Sequence, residues 1–504
     1  MVLLLEGHSY RYAVEQIMLA LFPEERPEYA ADPAACSTGF AAKSSIRMGG
    51  SYAQAATRIT RNGAVSQGYA RVRRSKLSDP LTTGRLLQRA VKQSFYRAAI
   101  SFIESPPEWG SLTGIRPAHI ASAMLEDGIA EGVAERTLMR DFYVSTERAG
   151  LCMAAARSSL AVKRTLLPQD VALYIGIPFC PTRCAYCSFV SNSVERQFDL
   201  IDPFVGALLR EIEAVAETAS RLGLRVIAVY IGGGTPTALP ANSLRVIMEA
   251  LAASFDLSQT REYTVEAGRP DTITSEKLDA ILESGAGRIC VNPQSMSAKV
   301  LDAIGRDHTP RDTLNAAELV GLSGMALNMD LIAGLPGDNP AGFRASLDEV
   351  LGLGPENITV HTLSLKKGSR IMLEATDIPN GRDVSAMLRY AGLSLRERGY
   401  LPYYLYRQKY TSGGFENVGW SLPGRECIYN ICMMEELCTV LSFGGGGVTK
   451  LVSAGARTEA PGESGGTRIE RVFNAKYPRE YIRKADEIGK KLDKIERFYS
   501  ECYT

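Results

Sequence analysis

Cys180-Pro-Thr-Arg-Cys184-Ala-Tyr-Cys187 follows directly on the apolar run Ala172-Leu-Tyr-Ile-Gly-Ile-Pro-Phe179. Three cysteines at spacing C-x3-C-x2-C thus leave a strand and gather on one short loop. Gly176, Pro178 and Pro181 tighten that loop, so three thiolates can be aimed at one point. Thiolates are the ligands of iron–sulfur clusters, and a cubane has four irons. Three protein ligands leave one iron free, as a catalytic metal keeps an open position. Structural zinc would need a fourth Cys or His; none follows within thirty residues, and the nearest before is Cys152. Three buried small residues on a loop are the plainer alternative, but the order of motifs downstream favours the cluster.

The 504 residues are 45% hydrophobic and 22% charged, with net charge +1. Two to four domains with ample core are expected. The charge balance offers no global field for nucleic acid or a membrane. Ten cysteines, three of them on one loop, do not suggest a disulfide framework. A cytoplasmic location is expected: thiolate-bound iron needs a reducing compartment, the start Met-Val-Leu-Leu-Leu-Glu6 lacks a basic leader, and no apolar run approaches the ~20 residues of a membrane helix.

Three regions are expected: residues 1–165, an α+β domain; 166–370, a partial barrel; and 371–504, a mostly helical domain capping the substrate. In the first, Val2–Glu6 reads as a strand and the stretch to Leu21 as a helix. Pro33–Ser78 contains no Asp or Glu and eight basic residues: Lys43, Arg47, Arg58, Arg61, Arg71, Arg73, Arg74 and Lys76. Asn62-Gly63 inside it marks a hairpin. Such a run reads first as a solvated face; the sharper reading is a grip on an anionic substrate or RNA. No RNA-binding motif accompanies it, so nucleic acid is not the expected partner.

In the middle region, β-branched apolar runs begin near Ala172, Arg225, Glu262, Arg288, Leu327 and Asn357, with helical patterns between. Six βα units are two short of a full barrel, which predicts an open (β/α)6 barrel with chemistry at the strands' C-terminal ends. Polar residues fall at those ends: Gly232-Gly233-Gly234-Thr235, Glu266, Asn292-Pro-Gln294, Asp330, and Arg306 after the fourth strand. Singly, each reads as a salt bridge or cap. Together they suit a zwitterion bearing ribose hydroxyls. Beyond Gly368, Tyr403, Tyr404, Tyr406 and Tyr410 read as core or rim, or as a stacking surface for a planar ligand. Cys427, Cys432 and Cys438 read as buried thiols or a second cluster. His8, His119, His308 and His361 are the only histidines.

Tyr174-x-Gly-Ile-Pro-Phe-Cys180, the cysteine loop with Phe189, Gly-Gly-Gly-Thr-Pro, Glu266, Pro-Gln-Ser295, Ile-Gly-Arg306-x-His308 and Asp330-Leu-Ile-x-Gly-Leu-Pro-Gly337 follow in order. This set resembles the radical S-adenosylmethionine (SAM) superfamily, and within it the oxygen-independent coproporphyrinogen III oxidase family. Leu-Thr-Gly-Ile-Arg-Pro117 and Glu-Asn-Val-Gly-Trp420 through Glu426-Cys-Ile-Tyr-Asn430 resemble its HemZ-type coproporphyrinogen dehydrogenase branch. The resemblance implies that Cys180, Cys184 and Cys187 ligate a [4Fe–4S] cluster. It implies that Tyr174, Phe189, Gly233, Gly234, Thr235, Glu266, Gln294, Arg306 and Asp330 line the site of one or two SAM molecules. It further implies anaerobic oxidative decarboxylation of coproporphyrinogen III to protoporphyrinogen IX, with reduced flavodoxin or ferredoxin as electron donor. Relatives that degrade haem by methylation, or that bind and traffic haem, supply the alternatives. Two departures concern substrate handling: Gly444-Gly-Gly-Gly-Val-Thr-Lys450 stands where relatives alternate Gly and Ala, and Trp420 where a Tyr is expected.

Overall fold

A computed structural model describes residues 1–30, 39–187, 192–193, 198–365, 369–373, 377–408, 411–453 and 467–503. It divides the chain into two compact units, one of Met1–Met153 and one holding most of the chain from Ala154 onward.

The first unit carries a five-stranded sheet of β1 (Val2–Glu6), β2 (Glu28–Tyr29), β3 (Phe40–Met48), β4 (Tyr52–Arg61) and β5 (Ala64–Arg73), in order β2-β1-β3-β4-β5. Asn62 and Gly63 turn β4 into β5 with both φ values positive (49° and 83°), the geometry of a two-residue hairpin whose twist matches its strands. Helices Arg11–Leu21 and Pro80–Ala99 share one core with the sheet, in which Leu3, Val14, Ile17, Ile59, Val91 and Phe95 are fully buried. Asp79 caps the second helix by accepting from the Thr82 amide at 2.9 Å.

The second unit is built on an eleven-stranded sheet. All six expected parallel strands are present: β6 (Asp170–Ile177), β9 (Arg225–Gly233), β10 (Glu262–Glu266), β11 (Arg288–Cys290), β12 (Ala326–Ala333) and β13 (Asn357–Thr362). They neighbour one another as β6-β9-β10-β11-β12-β13, with helices between them in sequence. Their near-continuous apolar composition is that of strands covered on both faces. The short β7 (Phe179–Cys180) pairs with β8 (Asn192–Ser193) at the start of the cysteine loop.

The C-terminal region holds the expected helices, Gly381–Glu397 and Gly489–Tyr503 the longest among the described residues, and also adds to the sheet. It supplies five strands: β14 (Leu401–Arg407), β15 (Glu416–Ser421), β16 (Thr439–Gly444), β17 (Val448–Val452) and β18 (Ile469–Phe473). These extend the same sheet, β15 and β14 antiparallel beyond β13, β16 parallel beside β6, and β17 and β18 beyond that. The physical reason is that an open parallel sheet leaves two rows of unpaired backbone groups, and the C-terminal strands satisfy both. The helix holding Cys432 is short, Ile428–Glu435.

Candidate active site

The carboxyl ends of the parallel strands surround a cavity of about 370 Å³. Its first wall is the cysteine loop, with Cys180, Cys184 and Cys187 all lining the space. The loop is held from behind: the Ala185 amide donates to Ile304 O at 2.8 Å and the Cys187 amide to Cys184 O at 3.1 Å. Arg269 holds its front, giving one N–H to Thr182 Oγ1 at 2.9 Å and two to the Asp271 carboxylate, each 2.9 Å. Among the described residues no three Cys, His, Asp or Glu side chains converge on a single-ion site. A four-iron cluster asks for something different, each thiolate on its own iron.

The glycines at the end of β9 are required by what lies against them. The Gly234 amide donates to Ile177 O and that of Thr235 to Phe179 O, both at 2.7 Å, while Thr235 Oγ1 lies 3.6 Å from Cys180 Sγ. A Cβ on Gly234 would stand 2.4 Å from Phe179 O and 2.9 Å from Cys180 Sγ; one on Gly232 would stand 2.8 Å from Glu266 Oε2. Gly233 has φ +110°, which L side chains rarely adopt. This run lines the floor beside the cysteines with bare backbone.

Glu266 ends β10 and receives the Asn292 amide at 3.4 Å. Burial, and next the nearby Asp330 carboxylate, push its carboxyl up to about 7. Gln294 has φ +66°, held because its amide donates to Asp330 O (2.9 Å) and its carbonyl accepts from Ile332 N (3.0 Å). Strain of this kind persists only where the surroundings over-determine it. Arg306 is buried, and among the described residues its guanidinium meets carbonyls and a phenol rather than a carboxylate. Its N–H groups go to Asn292 O (2.5 Å), Gly268 O (3.3 Å) and Tyr186 OH (3.2 Å), and it faces Cys184. Asn292 Oδ1, Gln294 Oε1 and Arg306 Nε are buried and unpartnered. Buried polar atoms are rarely left so in a finished structure; here three cluster in the residues that line one cavity, which fits a polar ligand.

The opposite wall comes from strands beyond the expected six. His361 on β13 sits between Asp330 (Nε2–Oδ2 3.5 Å) and Tyr406 (Nδ1–OH 3.5 Å). Burial, then Asp330, pushes the Tyr406 phenol up to about 12. Tyr404 and Tyr406 stack at 6.4 Å and line the cavity, whereas Tyr403 is core; Tyr410 lies outside the described residues. Asn417 and Asn430 complete this side.

Of the nine SAM-site residues expected, Gly233, Gly234, Thr235, Glu266, Gln294, Arg306 and Asp330 line the cavity together with the cysteines. Tyr174 does not; it stacks beneath, 6.2 Å from Tyr230 and 5.9 Å from Tyr429. Phe189 lies outside the described residues. His308 is buried with neither ring nitrogen bonded, and burial followed by Arg306 holds its charged form off to a pKa of about 4. Cys427, Cys432 and Cys438 are buried away from the cavity, Cys427 donating to Glu262 at 3.0 Å and Cys432 hydrogen-bonded to Cys438. The two departures are also remote from the lining: Trp420 stacks on Arg396 (5.0 Å), and the Gly444 run turns β16 into β17. Sequence reasoning missed Arg269, which only the loop contact reveals, and the His361–Tyr406 pair, which needs the strand order.

Residues 174–350 match the Radical SAM superfamily. The chain is 36% identical over 451 residues to the oxygen-independent coproporphyrinogen-III oxidase-like protein HemZ of Bacillus subtilis (strain 168), spanning 87% of this chain and 88% of that protein. The chain belongs to the HemZ/HemN coproporphyrinogen oxidase-like family of radical SAM proteins. Members of this superfamily use a [4Fe–4S] cluster and SAM. The fold is shared with coproporphyrinogen III oxidase (HemN) from Escherichia coli, at TM-score 0.51 and 21% identity over 65% of this chain and 72% of that one. Within the same family reach, the heme chaperone HemW of Escherichia coli (strain K12) is 26% identical over 52% of this chain and 65% of its own.

Proposed function

We propose that this protein is a radical SAM oxidase that decarboxylates two propionate side chains of coproporphyrinogen III to vinyl groups, giving protoporphyrinogen IX. The observation that carries the reading is one cavity that joins three loop cysteines to a stacked-tyrosine wall. Cys180, Cys184 and Cys187 hold the cluster, and the bare backbone of Gly233 and Gly234 admits the ammonium group of SAM. Arg306 Nε, Gln294 Oε1 and Asn292 Oδ1 are the unspent partners for the polar groups of SAM. When bound, reduced cluster and SAM would supply a carbon radical able to remove a hydrogen atom from a propionate carbon, after which CO2 leaves and one electron passes to an external acceptor. The residues themselves position rather than react. Asp330, fixed by His361, presents one carboxylate oxygen toward a ribose; Tyr404 and Tyr406 offer faces to a planar macrocycle. The region after residue 370 serves as the substrate cap, and reduced flavodoxin or ferredoxin serves as donor.

The test is anaerobic. The reconstituted protein is given dithionite, SAM and coproporphyrinogen III, or haem, and products are followed by mass spectrometry. Deoxyadenosine with loss of two carboxyl groups is expected. Deoxyadenosine with opening of haem, or tight haem binding without SAM cleavage, would each replace the proposal. Cys184→Ala is expected to lose the cluster's visible absorbance and SAM cleavage together.

A further inference from the structure

The sheet of the first unit is covered on one face only. Gly68, Ala70 and Val72 of β5 point into the core, where a Cβ on Gly68 would stand 2.1 Å from Ser94 O of helix Pro80–Ala99. The residues between them point to solvent, and the register of the two hairpins arranges them in rows. Tyr52 lies beside Arg73; Arg47, Gln54 and Arg71 form the next row; then Ser45, Ala56 and Tyr69; then Lys43, Arg58 and Gln67. Rows follow at about 7 Å, twice the rise per residue of a strand.

Three of the four rows hold a cation, and the one acid beside them is Glu6 of β1, which continues the Tyr69 row next to Ser45. Arg47, Arg58, Arg71 and Arg73 are exposed, and among the described residues no carboxylate pairs with them; Arg71 donates only to Gln54, at 2.9 Å. Lys43 alone is neutralised, by Glu6 at 2.6 Å. Four guanidinium groups with no carboxylate partner on one sheet face repel one another, and the core lies on the other side. Tyr69 (47% exposed) and Tyr52 (41%) stand among them. In its row the small Ala56 and Ser45 lie between Tyr69 and Glu6, and its hydroxyl donates to Gln67, which leaves the face of its ring open to a flat group.

We infer that this face is a binding site for single-stranded nucleic acid, with phosphates held by Arg47, Arg58, Arg71 and Arg73 and a base stacked on Tyr69. Cations at a regular repeat with an interleaved aromatic match a chain that alternates phosphate and base. Gln54 and Gln67, whose amide oxygens take the Arg71 and Tyr69 donors, keep side-chain N–H groups that can donate to base edges. An acidic protein would ask for an apolar centre in its interface, and the middle rows offer none. The whole-chain charge of +1 hides the feature because the acids that balance it lie elsewhere.

The test is fluorescence anisotropy of the full-length protein with labelled RNA or DNA of about 20 nucleotides. Binding is expected, weakening about 50-fold between about 50 and 200 mM salt for four phosphate contacts on a single strand. Arg58→Glu/Arg71→Glu is expected to abolish it, and Tyr69→Ala to weaken it about tenfold. SAM cleavage and melting temperature should stay unchanged in both variants. A preference for RNA over DNA would name the natural ligand within the proposal. No binding, binding indifferent to the variants, or equal affinity for polyglutamate would overturn it.

Discussion

Glu266 and Asp330 share one cavity, and the first consequence is electrostatic. Burial and the second carboxylate raise Glu266 from 4.5 to about 7. A carboxyl whose folded pKa is raised takes up protons more readily folded than unfolded, so stability falls as pH rises from the unfolded value toward the folded one. The cluster-free chain is therefore expected to lose melting temperature between pH 4.5 and about 7 relative to Glu266→Gln, whose curve lacks that slope. Equal slopes in thermal melts would remove Glu266 from this role. Cysteines and glycines could be picked out from sequence because their chemistry is local: a thiolate binds iron, and a bare backbone admits a ligand, wherever the strand leads. Arg269 could not. Its value lies in reaching Thr182, 87 residues earlier, and nothing near it in the chain announces that partner. His361 likewise becomes a member of the site only because β13 lies beside β12 and brings it to Asp330.

At the scale of elements, the end of β9 makes the sharpest prediction. Gly234 and Gly287 lie in the same unit, yet a Cβ on Gly287 would meet nothing within 4 Å. Gly287→Ala is expected to leave melting temperature and reconstituted iron unchanged. Gly234→Ala must displace Phe179 O or Cys180 Sγ, so it is expected to fold but retain less than about half the iron, since close packing tolerates little added volume. Iron retention equal in the two variants would show that the loop adapts. The six parallel strands were readable because burial on both faces leaves unbroken apolar runs such as Val226–Ile231. β14 escaped because Leu401-Pro-Tyr-Tyr-Leu-Tyr406 reads equally as an aromatic platform, and it is in part both: Tyr403 fills the core while Tyr404 and Tyr406 face the cavity. β16 escaped because its partner, β6, lies about 270 residues earlier, and no local pattern encodes a pairing across that span.

Across the whole second unit, the C-terminal helix is tied to helix Ile201–Arg221 by a buried charge pair, and to the sheet by a bond from the same lysine to Ser442 O of β16. Lys491 of helix Gly489–Tyr503 donates to Glu211 Oε1 at 2.8 Å, and both side chains are 6% exposed. Glu211 also accepts from Tyr481 OH (2.6 Å), Asn474 (2.8 Å) and the Gly444 amide (2.8 Å). That last bond reaches the end of β16, where Gly444 packs so close to β6 that a Cβ would stand 2.2 Å from Gly176 O. Gly176 leads into the cysteine loop, so the network braces the strand pair from which the site hangs. Removing one member of a buried pair strands the other charge and costs about 3–5 kcal/mol, whereas replacing both with apolar groups can be close to neutral. Lys491→Met is therefore expected to destabilise the protein by that amount in urea unfolding. Adding Glu211→Leu should recover only part of it, because three further donors then lose their acceptor. If Lys491→Met were neutral, the other three donors would be satisfying Glu211 unaided. The double mutant would then be the more damaged of the two.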